Sequence, residues 1–201
     1  MTTLQRLWRK AVLQRKHNKF LHALARSYMR LCGCVVPKSC SIIGLPNLSR
    51  HEGEIILGER VFLNSVNYVY RYSFCPKTKL ATSGKGKIYI GDDAGINGVT
   101  ISAENEVRIG SRVMLAPGVI IFDSITHPID AVPRRYLDTN ESAPVIIEDD
   151  AWLSMNVIVL PGAHIGQGSV IGVGSIVNGT IPPYTVAVGQ PARPIRLVNV
   201  E

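Results

Sequence analysis

The feature that most constrains this chain is an aliphatic residue at every sixth position. Counting in sixes from Ile147 gives Leu153, Val159, Ile165, Ile171 and Val177. Four residues after each member of the series stand Ala151, Val157, Ala163, Ser169, Ser175 and Ile181, mostly small or β-branched. The same register recurs upstream in fragments, from Leu57-Gly58 to Leu63-Asn64, from Ile90-Gly91 to Ile96-Asn97, and from Ile109-Gly110 to Leu115-Ala116 and Ile121. A helix requires apolar spacing near 3.6 and an amphipathic strand near 2. A period of six fits neither alone. It puts one large aliphatic group inward on each short strand and a small residue at each corner. Three hexads close a triangular coil of about 18 residues, and such coils stack by parallel strand pairing about 4.8 Å apart. The predicted fold is all-β, a parallel β-helix with an interior of stacked Ile, Val and Leu.

The register is interrupted three times. Leu63 to Ile90 spans 27 residues, Ile96 to Ile109 spans 13, and Ile121 to Ile147 spans 26. A solenoid accommodates surplus residues as loops at its corners, so each interruption predicts an extrusion. The third contains Asp123-Ser124-Ile125-Thr126-His127-Pro128. Ordered loops on a rigid scaffold are where functional groups concentrate.

Ahead of the repeat, residues 3–32 have helical spacing. Leu4, Leu7, Trp8, Ala11 and Val12 form one apolar face; Leu21, Leu24, Ala25, Tyr28, Leu31 and Cys32 form another, with Gly33 as a stop. The predicted organisation is a basic helical arm at 1–38, a β-helix at 39–188 with an excursion at 123–146, and an irregular tail at 189–201. The arm holds nine Lys or Arg and no acid, whereas the remainder carries 13 basic and 15 acidic residues. The arm, not the body, is therefore the part that meets anionic surfaces. It either caps the open end of the solenoid or lies on an anionic membrane with Trp8 and the leucines in the interface. It has no nucleic-acid-binding motif, and none is expected to bind. No apolar run approaches the roughly 18 residues that span a bilayer. The expected location is cytoplasmic, with the inner face of the plasma membrane open to the arm. Cys32, Cys34, Cys40 and Cys75 lack zinc-site spacing and read as reduced thiols.

Four segments resemble the left-handed β-helix acyltransferases, the hexapeptide-repeat family that includes galactoside, maltose, serine and xenobiotic acetyltransferases. They are Ile88-Tyr89-Ile90-Gly91-Asp92-Asp93 with Asn97-Gly98-Val99-Thr100-Ile101, Asp123 to Pro128, Ala151-Trp152-Leu153, and Gly172-Val173-Gly174-Ser175-Ile176-Val177 continuing through Pro191-Ala192-Arg193. The resemblance covers about residues 55–197 and is nearest to the sugar O-acetyltransferases of bacterial surface-polysaccharide clusters. It implies left-handed coiling, acetyl-CoA as acyl donor, a sugar or glycan hydroxyl as acceptor, no metal, and a homotrimer with active sites between neighbours.

The resemblance also assigns residues. His127 is the catalytic base, since a neutral imidazole can take the proton of a hydroxyl as it attacks a thioester. Asp123 is expected to orient that ring or to bind the sugar. Asn97 is expected to contact the acceptor, and Arg134 and Arg135 to hold an acidic sugar or a diphosphate. Trp152 is expected to pack on the pantetheine arm or on the loop that carries His127, and the Met155 backbone N–H to hold the thioester oxygen. Gly172, Gly174 and Ser175 are expected to allow close approach of coenzyme A, with Arg193 and Arg196 on its phosphates. One departure is visible: the family often has Thr-Lys-Asp before Ile-Pro-Pro, whereas this chain has Asn178-Gly179-Thr180 before Ile181-Pro182-Pro183. That removes a phosphate-binding lysine and shifts weight to Arg193.

Three other readings fit the same scaffold. A zinc carbonic anhydrase needs three histidine ligands, and outside the arm only His51, His127 and His164 exist, with no paired spacing. A non-catalytic scaffold displaying the basic arm is the second. The third keeps the chemistry and changes the acceptor to an amino sugar or an antibiotic.

Overall fold

A computed structural model describes residues 19–50, 52–66, 76–125, 127–128 and 141–199. Residues 1–18 of the arm, with Trp8, lie outside the described residues, as do His51, Cys75, Arg134 and Arg135.

After helix α1 (Lys19–Leu31), the chain forms short strands that fall into three sheets, each taking every third strand until the last, which is added to the first sheet. The first sheet holds β1 (Ser41–Ile43), β4 (Phe62–Asn64), β7 (Gly95–Asn97), β10 (Met114–Leu115), β13 (Trp152–Leu153), β16 (Val170–Ile171), β19 (Thr185–Gly189) and β20 (Ala192–Leu197). The second runs through β2 (Asn47–Arg50), β5 (Lys79–Thr82), β8 (Thr100–Ala103), β11 (Ile120–Phe122), β14 (Ile158–Val159) and β17 (Ile176–Val177). The third runs through β3 (Glu54–Leu57), β6 (Lys87–Ile90), β9 (Glu106–Ile109), β12 (Val145–Ile147), β15 (His164–Ile165) and β18 (Thr180–Ile181). Successive coils pair in parallel, and the winding is left-handed.

Register places the repeat residues in three inner columns. Ile42, Leu63, Ile96, Leu115, Leu153, Ile171 and Ala187 stack in the first sheet. Leu80, Ile101, Ile121, Val159 and Val177 stack in the second. Leu57, Ile90, Ile109, Ile147, Ile165 and Ile181 stack in the third. All belong to one buried cluster. The glycine that follows Leu57, Ile90, Ile109 and Ile165 of the third column has a steric cause. A Cβ on Gly110 would lie 2.6 Å from the Asp149 backbone nitrogen of the next coil. The same corner, from third to first sheet, is also held by side chains. Arg60 grips Asp93 through two bonds of 2.7 Å, and Arg112 grips Asp150 at 2.6 and 2.9 Å.

Three expectations need correction. The surplus between Ile96 and Ile109 extrudes no loop. The corner between Ile96 and Ile101 is one residue short of a hexad, and the next turn, at Glu104-Asn105, joins the two four-residue strands β8 and β9. The tail is not irregular, because β20 pairs antiparallel with β19. Its residues beyond Ala192 are mostly exposed, so no inward alternation marks it in the sequence. The helical face is also different. His22, Ala25 and Met29 are buried on the coil end, while Leu21, Leu24 and Leu31 point outward. Residues 19–31 thus cap the first coil: Ala25 and Met29 join the core cluster, and the Arg26 and Arg30 guanidinium groups donate to the Cys40 and Val36 carbonyls.

Cys32, Cys34 and Cys40 are free thiols, and burial pushes Cys34 up to about 11, so it stays protonated and inert near neutrality. No helix among the described residues is long and apolar enough to cross a membrane.

Candidate active site

The outer face of the first sheet carries an apolar cleft of about 470 Å³. The residue just before each inner aliphatic must point outward, because side chains alternate along a strand. Register therefore lines up Gly95, Met114, Trp152 and Val170 on neighbouring strands. Met114 is 54% exposed and Trp152 44%, and Val173, from the corner beyond, is 71% exposed. Ala116, Pro117, Ser154 and Met155 complete the wall at the corner towards the second sheet.

Asn97 is the polar group of the cleft. Its Nδ2 donates to the Leu115 carbonyl at 3.3 Å, while its buried Oδ1 accepts no hydrogen bond among the described residues. An unsatisfied buried acceptor costs about 1–3 kcal/mol, so a donor supplied by a bound molecule would be favoured there. At Met155, the flanking Ser154 and Asn156 N–H groups donate to the Ile171 and Pro117 carbonyls, and the Met155 carbonyl accepts from Gly174. The Met155 N–H is left out of this ladder.

Of the residues singled out in the sequence, the structure brings Asn97, Trp152 and Met155 together in this cleft. Sequence reasoning missed Met114 and Gly95. The signal was available: both stand one residue before an inner aliphatic, the same outward position as Trp152.

The residues expected from the sequence to meet coenzyme A divide. Gly174 has φ +69°, and a Cβ there would meet open space, so its backbone alone demands glycine. Gly172 is explained by packing, since its Cβ would lie 2.5 Å from Val188 Cγ1. Ser175 points inward, is buried, and accepts from the Gly189 N–H at 3.1 Å. Its small, inward side chain leaves the backbone at this corner uncovered. Arg193 and Arg196 stand exposed on β20, three strands beyond β13 in the same sheet and so about 14 Å away at the usual spacing. The Nη1 atom of each donates to a nearby carbonyl, of Ala192 and Leu197 respectively.

His127 lies elsewhere. The excursion leaves the coil after β11 and rejoins at β12, at the corner between second and third sheets. Its base is a short antiparallel pairing in which Ser124 bridges Ser142, Ile125 N–H donates to Glu141 and Ala143 N–H donates to Asp123. His127 is exposed above this base. Asp123 is fully buried, and its carboxylate accepts from the Glu104 N–H at 2.9 Å and the Asn105 N–H at 2.8 Å. Both oxygens thus clamp the turn of the coil below. The expected ring-orienting or sugar-binding role is corrected to one of anchoring the excursion. At its foot, Ser83, Gly84, Glu104 and Ser142 line a polar cleft of about 390 Å³.

Within one chain, the whole width of the second sheet separates His127 from the cleft of Asn97 and Trp152. That sheet presents an outward column of Ile120, Ile158 and Ile176.

Comparison with known proteins agrees with this architecture. The family model for the bacterial transferase hexapeptide, of six repeats, matches residues 144–179. An Escherichia coli K12 protein provisionally assigned as a lipopolysaccharide biosynthesis O-acetyl transferase, WbbJ, is 35% identical over 173 residues, 82% of each chain. The solved maltose O-acetyltransferase of Clostridium difficile is similar at 32% identity with a TM-score of 0.50, over 74% of this chain and 70% of that one. A galactoside acetyltransferase solved in complex with coenzyme A has 37% identity and a TM-score of 0.50, over 56% of each chain. The chain spans about half the length of several other curated relatives that it matches.

Proposed function

The chain belongs to the bacterial hexapeptide transferase family, and we propose that it moves an acetyl group from acetyl-CoA to a hydroxyl of a sugar in surface-polysaccharide synthesis. The observation that carries this reading is the cleft itself: an apolar wall of Met114 and Trp152 beside the unsatisfied Asn97 Oδ1. A flexible, largely apolar pantetheine arm fits such a wall, and a sugar hydroxyl can donate to Asn97. The donor's thioester supplies an activated acetyl group. The acceptor oxygen forms the new C–O bond as the C–S bond breaks. His127 takes the hydroxyl proton and returns it to the departing sulfur, so charge and protons balance. The N–H of Met155 is available to the carbonyl oxygen as it gains negative charge. Arg193 and Arg196, further along the same sheet, are placed for the nucleotide phosphates.

The site works only between copies of the chain. A neighbour packed along the isoleucine column of the second sheet carries its own excursion towards this cleft, and three copies in a ring satisfy every site. Arg134 and Arg135, which follow His127 in the sequence, are the candidates to hold an acidic or phosphorylated part of the acceptor.

The test is an acceptor screen with acetyl-CoA, reading thiol release against lipid-linked and nucleotide sugars, amino sugars and antibiotics. Transfer to a sugar hydroxyl that falls two to four decades in His127→Ala, with assembly intact, is the expected result. No thiol release with any acceptor would contradict the reading and favour a scaffold; transfer only to amines would reassign the acceptor.

A further inference from the structure

Helix α1 is apolar on two sides. One side packs on the first coil through Ala25 and Met29. The other carries Phe20, Leu24 and Leu31, four and seven residues apart and so in line along the helix. They are 73%, 54% and 88% exposed. Beside them Leu21, Leu24, Ile43, Leu45 and Val66 line an apolar groove of about 390 Å³. The coil end needs only the first side, so capping leaves the second unexplained, and exposed apolar patches of this kind mark contact surfaces.

The charge around the patch identifies the occupant. Every fixed side-chain charge on α1 itself is cationic. They are Lys19, Arg26 and Arg30, which share the flank of the helix next to the stripe; Arg26 and Arg30 keep their charge while bonding to carbonyls, and Glu59 lies behind them on the coil side, near Cys40. A second copy meeting this face would set cations against cations. An apolar stripe flanked by cations fits an anionic lipid surface, with the side chains in the acyl boundary and the cations at the headgroups. We infer that the outer face of α1 docks the protein on an anionic membrane. Rotation about an axis parallel to the β-helices sends every cap to the same end, so the proposed ring would present several docking faces to one plane. That multivalence rests on the ring; docking by one face does not.

The experiment is flotation of the full chain with phosphatidylglycerol–phosphatidylcholine vesicles, against pure phosphatidylcholine, at about 0.1 M salt. The wild type should float with the anionic vesicles only. Phe20→Ser/Leu24→Ser/Leu31→Ser should lower the bound fraction about tenfold or more, with solution mass and transfer to a soluble acceptor unchanged. Leu31→Glu, a single change at an exposed site, should weaken binding in the same direction. Failure of the wild type to bind overturns the inference. So does undiminished binding of both variants, which would place docking in residues 1–18 alone. A fall in solution mass of the triple variant would make the patch a contact between copies. Acetyl transfer is read separately, so a failed docking surface is distinguished from a failed catalytic reading.

Discussion

Replacing Asp123 separates an anchoring role from a catalytic one. In the native protein both carboxylate oxygens accept backbone N–H bonds, from Glu104 and Asn105, at a fully buried position. Hydrogen bonds to a charged group contribute about 1.5–3 kcal/mol each, so Asp123→Ala should cost at least about 3 kcal/mol. For a chain of this size that lowers the melting temperature by about 6–12 °C. Asp123→Asn should be no milder. Both partners are donors, so the amide can satisfy one and must turn its NH₂ against the other. Calorimetry on the assembled protein, with thiol-release kinetics on the same samples, gives both readouts. Melting temperature and turnover should fall together in both variants, because the base of the His127 excursion loosens. An Asp123→Asn protein that melts like the wild type while turnover collapses would refute this, since an asparagine could still hold an imidazole N–H and spare the fold.

Other outcomes follow from the same contacts. His164 and the Gln167 N–H hold the Glu148 carboxyl below its usual range, Arg112 and then Gln167 do so for Asp150, and Arg60 does so for Asp93. Groups with depressed folded values contribute stability that is complete above the ordinary carboxylate range and is lost as pH falls through the folded value. The melting temperature should stay level from neutrality to about pH 5 and drop below about pH 4; a drop that begins above pH 6 would point to other groups. Leu153→Ala, in the middle of a fully buried column, should cost about 2–5 kcal/mol. Its chemical denaturation midpoint should fall accordingly, and an unchanged midpoint would mean that the column does not carry the fold. Trp152→Ala should raise KM for acetyl-CoA more than it lowers kcat, as steady-state kinetics would show; the reverse split would place the ring at the reacting atoms.

The β-helix was legible in the sequence because its period is its structure: each sixth residue from Ile147 to Val177 became an inner position of successive sheets. Where the coil departs from the hexad, the pattern misled. The 13 residues from Ile96 to Ile109 looked like an extrusion but are a short corner followed by two longer strands. β20 carried no inward alternation because it lies exposed along an edge. The cleft was half legible. Asn97, Trp152 and Met155 came from motif resemblance, whereas Met114 needed the outward register, which the inner column hides. Asp123 shows why residue type is not enough: it was assigned by its neighbours in the chain, yet it turns inward to accept from two backbone N–H groups of the coil below.

The decisive measurement concerns the site shared between copies. A His127→Ala chain keeps its cleft, and an Asn97→Ala/Trp152→Ala chain keeps its base. Each homogeneous assembly should be inactive. When the two are unfolded together in equal amounts and refolded, a site built across a boundary draws each half at random. About a quarter of the sites should then combine an intact base with an intact cleft, and about a quarter of wild-type turnover should return. Mixed assemblies as inactive as their parents would mean that His127 serves the cleft of its own chain, contradicting the geometry from which the site is argued.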